Sequence, residues 1–265
     1  MNHPVTASQV WLEYCLDPLR DDDTTRWWNA IDTGDFKRFK RALKDGDTDQ
    51  IQTYLEQHHD SPEMSCTYAN KHNDTRWQHA VDLIIRNTRP GDTIVDIGAG
   101  SHAHVINQLL ERAPNRYYVI CDLTTPLLLA MYNLSKKHRV RYLNPNDDTP
   151  HLNLKQQIIK HDCVLIPHHM SYMLYQLKGC TFYNSYSFSE MSAPEIDNYM
   201  DIVAVTESRL ISENYWDSSQ YTTCHLCDTP VLPLKQFVPR SFRLRHEQTP
   251  HVPTNTGALI TIHDS

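Results

Sequence analysis

Apolar positions follow a helical rhythm over residues 1–90 and an alternation of strands and helices after them. In "NDTRWQHAVDLIIRN", Trp77, Ala80, Val81 and Ile84 keep the i, i+3, i+4, i+7 spacing of a helix with one buried stripe. Upstream, "DDDTTRWWNAI" opens on good N-cap residues and groups Trp27, Trp28 and Ile31. "DTDQIQTYLEQHH" sets Asp47 three positions before Gln50, a capping-box variant, with Ile51, Tyr54 and Leu55 on one face. From Gly91 the period changes. "DTIVDIG" and "RYYVICDL" read as buried strands, and "SHAHVINQLLERA" between them as a helix with Val105, Ile106, Leu109 and Leu110 inward. "TTPLLLAMYNLSKKH" reads as a helix with Thr125 as N-cap and Pro126 in its first turn. "RVRYLN" is a candidate edge strand, and "HDCVLIP" and "CTFYNSYSF" are further apolar runs. "SAPEIDNYMDIVAVTESRLI" opens with Ser192 and Glu195 as a capping box and turns Ile196, Tyr199, Met200 and Val203 inward. "RSFRLRHE" and "ALITIHD" close the chain as an antiparallel pair of strands. This order predicts an α/β fold: a Rossmann-like, mostly parallel sheet covered on both faces, with an antiparallel late strand. Residues 1–90 are expected to form a helical annex, and 91–265 the sheet domain.

Composition narrows the class of partner. The 265 residues are 40% hydrophobic, enough for one sizeable core. Lys+Arg 25 against Asp+Glu 32 gives a net charge of -7, which argues against nucleic acid as a partner, since phosphate-backbone affinity needs clustered cations. The start "MNHPVTASQVWLEYC" lacks the basic opening and apolar run of a signal peptide. No stretch approaches the roughly 20 apolar residues of a membrane span. A cytoplasmic chain without membrane insertion is expected. The seven cysteines then read as free thiols, with Cys121 and Cys163 inside core strands. "CHLC", Cys224 to Cys227, has the spacing of half a zinc site, but a structural site needs four ligands. Only Cys66, Cys180 or a scattered histidine is left to complete it, so no metal is assigned.

The chain holds only seven glycines, and Gly91, Gly98 and Gly100 fall within ten residues of one another. A strand-to-helix turn of this kind needs glycine so that the backbone turns tightly and approaches a ligand. Such folds also place an acid at the end of the second strand to bind ribose hydroxyls, and Asp122 ends "YYVICD". "GAGSHA" formally satisfies the dinucleotide pattern, yet Asp96 puts a carboxylate two positions ahead of Gly98. A pyrophosphate there is repelled, whereas a cofactor with a sulfonium and an α-amino group is attracted. S-adenosylmethionine is therefore the expected cofactor, held by Asp96, Gly98, Ala99, Gly100, Asp122 and Leu123. His102 stands where methyltransferases often carry a third glycine. His102 and His104 are read as solvated loop histidines.

Ligands in such a sheet lie across the carboxyl ends of the strands. "IPHHM" then falls on the adenine side or the pocket rim, and "NSYSFSEM" beside the chemistry. "FYNSYSFSEM", the following "APEIDNYMDIV" and the later "ENYW" resemble the sugar O-methyltransferase family found in surface-polysaccharide gene clusters. "DIGAG" and "CDL…LLLAMYNLS" fit the same family, so the resemblance spans about Ile94 to Trp216. Asn184, Ser187, Phe188, Glu190 and Met191 match one by one. The resemblance implies a class I S-adenosylmethionine-dependent methyltransferase with a saccharide acceptor, free or within a glycan. Methyl transfer to a weakly acidic sugar hydroxyl needs a positioned base. Glu190 is the first candidate, followed by His168 or His169, since a neutral imidazole is a ready base at cellular pH. Asn184 is assigned to the cofactor's amino-acid end or the substrate, and Tyr186 and Ser187 to the substrate pocket. Some sugar methyltransferases acidify the hydroxyl with a divalent cation; Asp147 and Asp148 in "NPNDD" are the available acids, but a solvated turn is the preferred reading there. The rival readings are an NAD(P)-dependent oxidoreductase and a non-catalytic methyltransferase-like binding subunit.

Overall fold

A strand buried on both faces reads as a near-continuous apolar run, and residues 94–97, 118–121 and 163–167 form such runs in the computed structural model, with Asp96 as their one polar member. The structure describes residues 50, 53, 71–100, 103–143, 152–217, 231–248 and 258–265. Expectations placed on Trp27, Trp28, Ile31, Asp47, Ile51, Tyr54, Leu55, Cys66, His102, Asp147, Asp148, Cys224 and Cys227 lie outside the described residues. Helix α1 (Lys71–Asn87) leads into β1 (Thr93–Ile97), α2 (His104–Arg112), β2 (Tyr117–Asp122), α3 (Thr124–Ser135) and β3 (Val140–Tyr142). Then come α4 (Leu154–Lys160), β4 (Cys163–Pro167), a 3-10 helix (His168–Gln176), β5 (Thr181–Ser185), α5 (Ser187–Glu190), α6 (Ala193–Val205) and β6 (Arg209–Tyr215). A short 3-10 turn, β7 (Arg243–Gln248) and β8 (Ala258–Asp264) complete the order.

Among the described residues, eight strands form one sheet in the order β3-β4-β2-β1-β5-β6-β8-β7. β8 runs antiparallel to both β6 and β7, and the other pairings are parallel. The sheet matches the mixed Rossmann-like sheet expected, including the antiparallel closing pair. Side chains alternate across it with the strand period of two. Ile94, Tyr118, Ile120 and Tyr183 face one core with α1, α2 and α3, whereas Val95, Ile97, Val119, Cys121 and Phe182 face a second with α4 and α6. Trp77, Ala80, Val81 and Ile84 of α1 join the first of these cores. Cys121, Cys163 and Cys180 are free and buried. No helix among the described residues is long and apolar enough to cross a membrane.

The structure moves one helix start. Helix α3 begins at Thr124 with Leu123 in the N-cap position and no side-chain cap, so Thr125 lies inside the helix and not at its cap. Ser192 and Glu195 do form the capping box of α6, with Pro194 in its first turn. From β1 the chain moves outward through β2 to β3 and β4, then returns to place β5 on the other side of β1. The order reverses between β1 and β5, and in open α/β sheets ligands bind outside the carboxyl ends of the strands at such a switch point.

Candidate active site

The turn after β1 is built around two left-handed glycines. Gly98 (φ 71) and Gly100 (φ 70) adopt backbone conformations that L side chains rarely tolerate. A Cβ on Gly98 would meet Ser187 Oγ at 2.2 Å and Ser187 Cβ at 2.5 Å, so the first residue of α5 closes directly on this turn. Gly98 N–H donates to the Cys121 carbonyl at 2.9 Å. Gly100 N–H donates to Asp122 Oδ2 at 2.8 Å, and Leu123 N–H donates to Asp122 Oδ1 at 2.6 Å. The acid expected to reach a ligand thus also fixes the loop that borders it.

The two acids here are held in a costly state. Asp96 is 3% exposed, and burial, with the neighbouring Asp122 charge, pushes its carboxyl well above the usual carboxylate range. Burial also raises Asp122, to about 6, although the two backbone N–H groups and His168 favour its ionised form. A cation beside Asp96 and hydroxyl donors to Asp122 would relieve both costs.

At the end of β5, Asn184 sits level with Ile97 of β1 and is fully buried. Its Nδ2 donates to the Ile97 carbonyl at 2.7 Å and also meets Ser187 Oγ. Its Oδ1 accepts from Phe188 N–H at 3.1 Å and from Asn214 Nδ2 at 2.8 Å. Asn214 Oδ1 in turn accepts from Ser189 N–H at 3.3 Å. One amide therefore ties the ends of β1, β5 and β6 to α5, the short helix that carries Ser187 and Glu190. Tyr186 precedes that helix in a left-handed conformation (φ 64), unusual for a bulky residue, with its N–H donating to the Glu213 carbonyl at 2.8 Å. Its ring lies edge-on to Tyr215, with centroids 5.5 Å apart. Glu190 ends α5 and is half-buried.

Helix α1 reaches both the start of α2 and the end of β6 with consecutive residues. Trp77 stacks on His104 at 3.7 Å between centroids, so His104 is packed at the start of α2 instead of solvated. Arg76 Nε donates to both Glu213 carboxylate oxygens, at 3.1 and 3.3 Å, and its guanidinium lies over the Tyr186 ring at 4.3 Å. Arg76 also donates to Ser185 Oγ.

His168 and His169 follow β4. His169 is exposed, and His168 is half-buried and engaged at both ring nitrogens: Nδ1 is 2.9 Å from the Tyr199 hydroxyl and Nε2 is 3.1 Å from Glu195 Oε1. The sequence-assigned residues Asp96, Gly98, Ala99, Gly100, Asp122, Leu123, His168, His169, Asn184, Tyr186, Ser187 and Glu190 accordingly gather at the carboxyl edge of four adjacent strands, β4, β2, β1 and β5. Arg76, Glu213, Asn214 and the Tyr199–Glu195 pair were not assigned a site role from sequence. The available signal was "SENY": a strand whose end carries three buried polar residues in a row, Ser212, Glu213 (3% exposed) and Asn214 (1%). Among the described residues no group of three or more His, Cys, Asp or Glu side chains is placed to hold a metal ion.

No family model matches the chain, and no curated protein matches it by sequence. Solved structures match it in fold. The magnesium protoporphyrin IX methyltransferase ChlM of Synechocystis PCC 6803, crystallised with bound SAM, matches with a TM-score of 0.50 and 10% identity over 100% of both chains. The glycopeptide N-methyltransferase MtfA complexed with SAM matches at 0.46 and 11% identity, over 75% of this chain and 95% of its own. MtNAS in complex with MTA and tNA matches at 0.47 and 13% identity, over 97% and 94%. At such identities the likeness is one of fold: the chain has a Rossmann-like sheet of the kind the ChlM structure carries.

Proposed function

We propose that the chain is a class I S-adenosylmethionine-dependent O-methyltransferase whose acceptor is a saccharide hydroxyl. The observation that carries this reading is the pairing of Asp96 and Asp122, two desolvated acids, around the Gly98–Gly100 turn at the switch point of the sheet. A carboxylate at the end of β1 suits a cationic amino-acid end and repels a pyrophosphate. Each Asp122 oxygen accepts one backbone N–H and keeps a further acceptor site for a ribose diol. Neighbours of the same fold hold SAM, which supports the same cofactor here. The saccharide acceptor rests on the resemblance carried by "FYNSYSFSEM" and "ENYW".

When bound, S-adenosylmethionine supplies an electrophilic methyl group on a sulfonium. This chain's part is to align an acceptor hydroxyl and take its proton. Glu190 is the proposed base. His168 is disfavoured because both of its ring nitrogens already have partners. Asn184 fixes α5 against the end of β1, so that Ser187 and Glu190 keep their place beside the glycine turn. Tyr186 forms the acceptor-side wall, against which helix α1 sets the Arg76 guanidinium.

The test is calorimetric titration with S-adenosylmethionine, its demethylated product and NADH, followed by labelled-methyl transfer to a panel of free and nucleotide-linked sugars. The expected result is saturable binding of the first two alone and label in a sugar ether. Binding of NADH alone replaces the cofactor assignment. Tight binding of both sulfur ligands with no transfer to any hydroxyl leaves a binding subunit.

A further inference from the structure

The outer part of the sheet carries a buried histidine that the proposed methyl transfer does not use. His263 of β8 is 3% exposed, and neither ring nitrogen has a hydrogen-bond partner among the described residues. Two positions earlier on the same face, Thr261 is 0% exposed and its hydroxyl is likewise without a partner there. Trp216, the residue after β6, lies across the imidazole, with ring centroids 5.7 Å apart and planes 22° from parallel. Such surroundings suit a neutral imidazole, which packs much as any aromatic ring does. An imidazolium there has two N–H donors and no protein group to receive them.

No neighbouring acid compensates. Across the ladder His263 faces Leu210 of β6 and Leu244 of β7, while Thr261 faces Ser212 and the exposed Glu247. The adjoining Asp264 is already shared by Arg209 and Arg245. On the covering side, Asp217 and Lys235 pair with each other at 3.9 Å, and both are at least half-exposed. Burial therefore holds the imidazole below the ordinary histidine pKa. A chain opened around His263 takes up the proton more readily than the closed one. The closed form is accordingly favoured at neutral pH and loses ground as the pH falls below about 6.5.

Which side yields depends on how each is held. β8 is laddered to β6 along its whole length and to β7 on its other edge. The covering segment is held by the packing of Leu234, Phe237 and Val238 and by few backbone bonds to its surroundings. Leu232 N–H donates to the Ser189 carbonyl at 3.1 Å, and Lys235 N–H to the Trp216 carbonyl at 3.3 Å. Ser189 belongs to α5, and Val231 packs with Tyr215 and Tyr186, so the same segment backs the acceptor side of the site. We propose that His263 is an acid-sensitive pin, whose protonation lifts Trp216 and residues 231–238 from β8 and so releases the back of α5. The pin stands without the methyl-transfer reading; joined to that reading, it makes the placement of Ser187 and Glu190 depend on pH.

The decisive measurement is hydrogen–deuterium exchange of the full chain and of His263→Phe, compared at matched pH near 7.5 and near 5.5. Phenylalanine keeps a flat ring under Trp216 and takes up no proton. The Leu232 and Lys235 amides of wild type are expected to exchange at least about threefold faster than those of the variant near pH 5.5 and equally near pH 7.5, with β1 protected throughout. Equal rates at both pH values overturn the pin. A difference of the same size at both marks a change of packing only and overturns it too. Loss of β1 protection together with the cover replaces local release by global acid unfolding. If the variant does not fold, ring-carbon titration of His263 in the wild type decides. A midpoint below the ordinary histidine range, reached as exchange of Leu232 and Lys235 rises, sustains the inference; a midpoint within or above that range overturns it.

Discussion

Gly98 and Gly100 share a left-handed backbone but not their surroundings, and this separates two costs that are usually confounded. At Gly100 a Cβ would have nothing within 4 Å, whereas at Gly98 it would run into Ser187. Gly100→Ala should therefore lose only the strain of an L residue in that region, about 1–2 kcal/mol. Gly98→Ala adds an overlap with a side chain held between Asn184 and the Ile97 carbonyl, and at least about 3 kcal/mol is expected in all. Urea denaturation midpoints check the difference; equal losses would mean that Ser187 moves aside freely. At this scale the site was partly legible in sequence. Asp96, Gly98 and Asp122 announce themselves because a strand end needs no acid for packing, and a turn needs glycine only where other side chains are excluded. Asn214 and Arg76 did not. Each acts on a residue far along the chain, 30 positions away for Asn214 and Asn184 and 137 for Arg76 and Glu213, and no local pattern reports such a meeting.

Helix α6 links its own capping to the end of β4. Its capping box satisfies the amides of its own first turn, and Glu195 also reaches His168 at the end of β4. Ser192→Ala should cost about 1 kcal/mol through the lost cap, measured by chemical denaturation, with the far-ultraviolet spectrum unchanged. An unchanged midpoint would show that packing of Ile196, Tyr199, Met200 and Val203 alone sets the helix start. The capping box and that buried stripe were both legible, because they depend on residues three and four apart. Helix α4 and the 3-10 helix after β4 were not predicted. The first has seven residues, too few to establish a period, and the second buries Met170, Met173 and Leu174 at helical spacing but over barely more than one turn. The start of α3 was misplaced by two residues for a related reason: Thr125 is a good cap by type, but the chain enters that helix directly from the Asp122–Leu123 corner, where the Asp122 carboxylate takes the Leu123 N–H.

Over the whole molecule, strand order was the property that periodicity left open, and it is what brings the site together. The reversal between β1 and β5 sets the glycine turn beside Asn184, and β6 then brings Glu213 within reach of α1. Glu213 is 3% exposed and the Arg76 side chain 24%, so their contact is a largely buried ion pair linking helix α1 to the end of β6. Burial works against the Arg76 charge, but Glu213, Tyr183 and Tyr186 outweigh it and raise its pKa above the ordinary value. Removing only the cation strands a carboxylate in the interior, so Arg76→Ala should cost about 3 kcal/mol or more. Glu213→Gln leaves a neutral amide facing Arg76 and should cost less, about 1–2 kcal/mol. In the double variant the stranded charge is gone. Its loss should fall short of the sum of the single losses by at least about 1 kcal/mol in a denaturant-based double-mutant cycle. Strict additivity would mean that α1 is held by its apolar stripe of Trp77, Ala80, Val81 and Ile84 alone, and that the Arg76–Glu213 contact does not join the annex to the site.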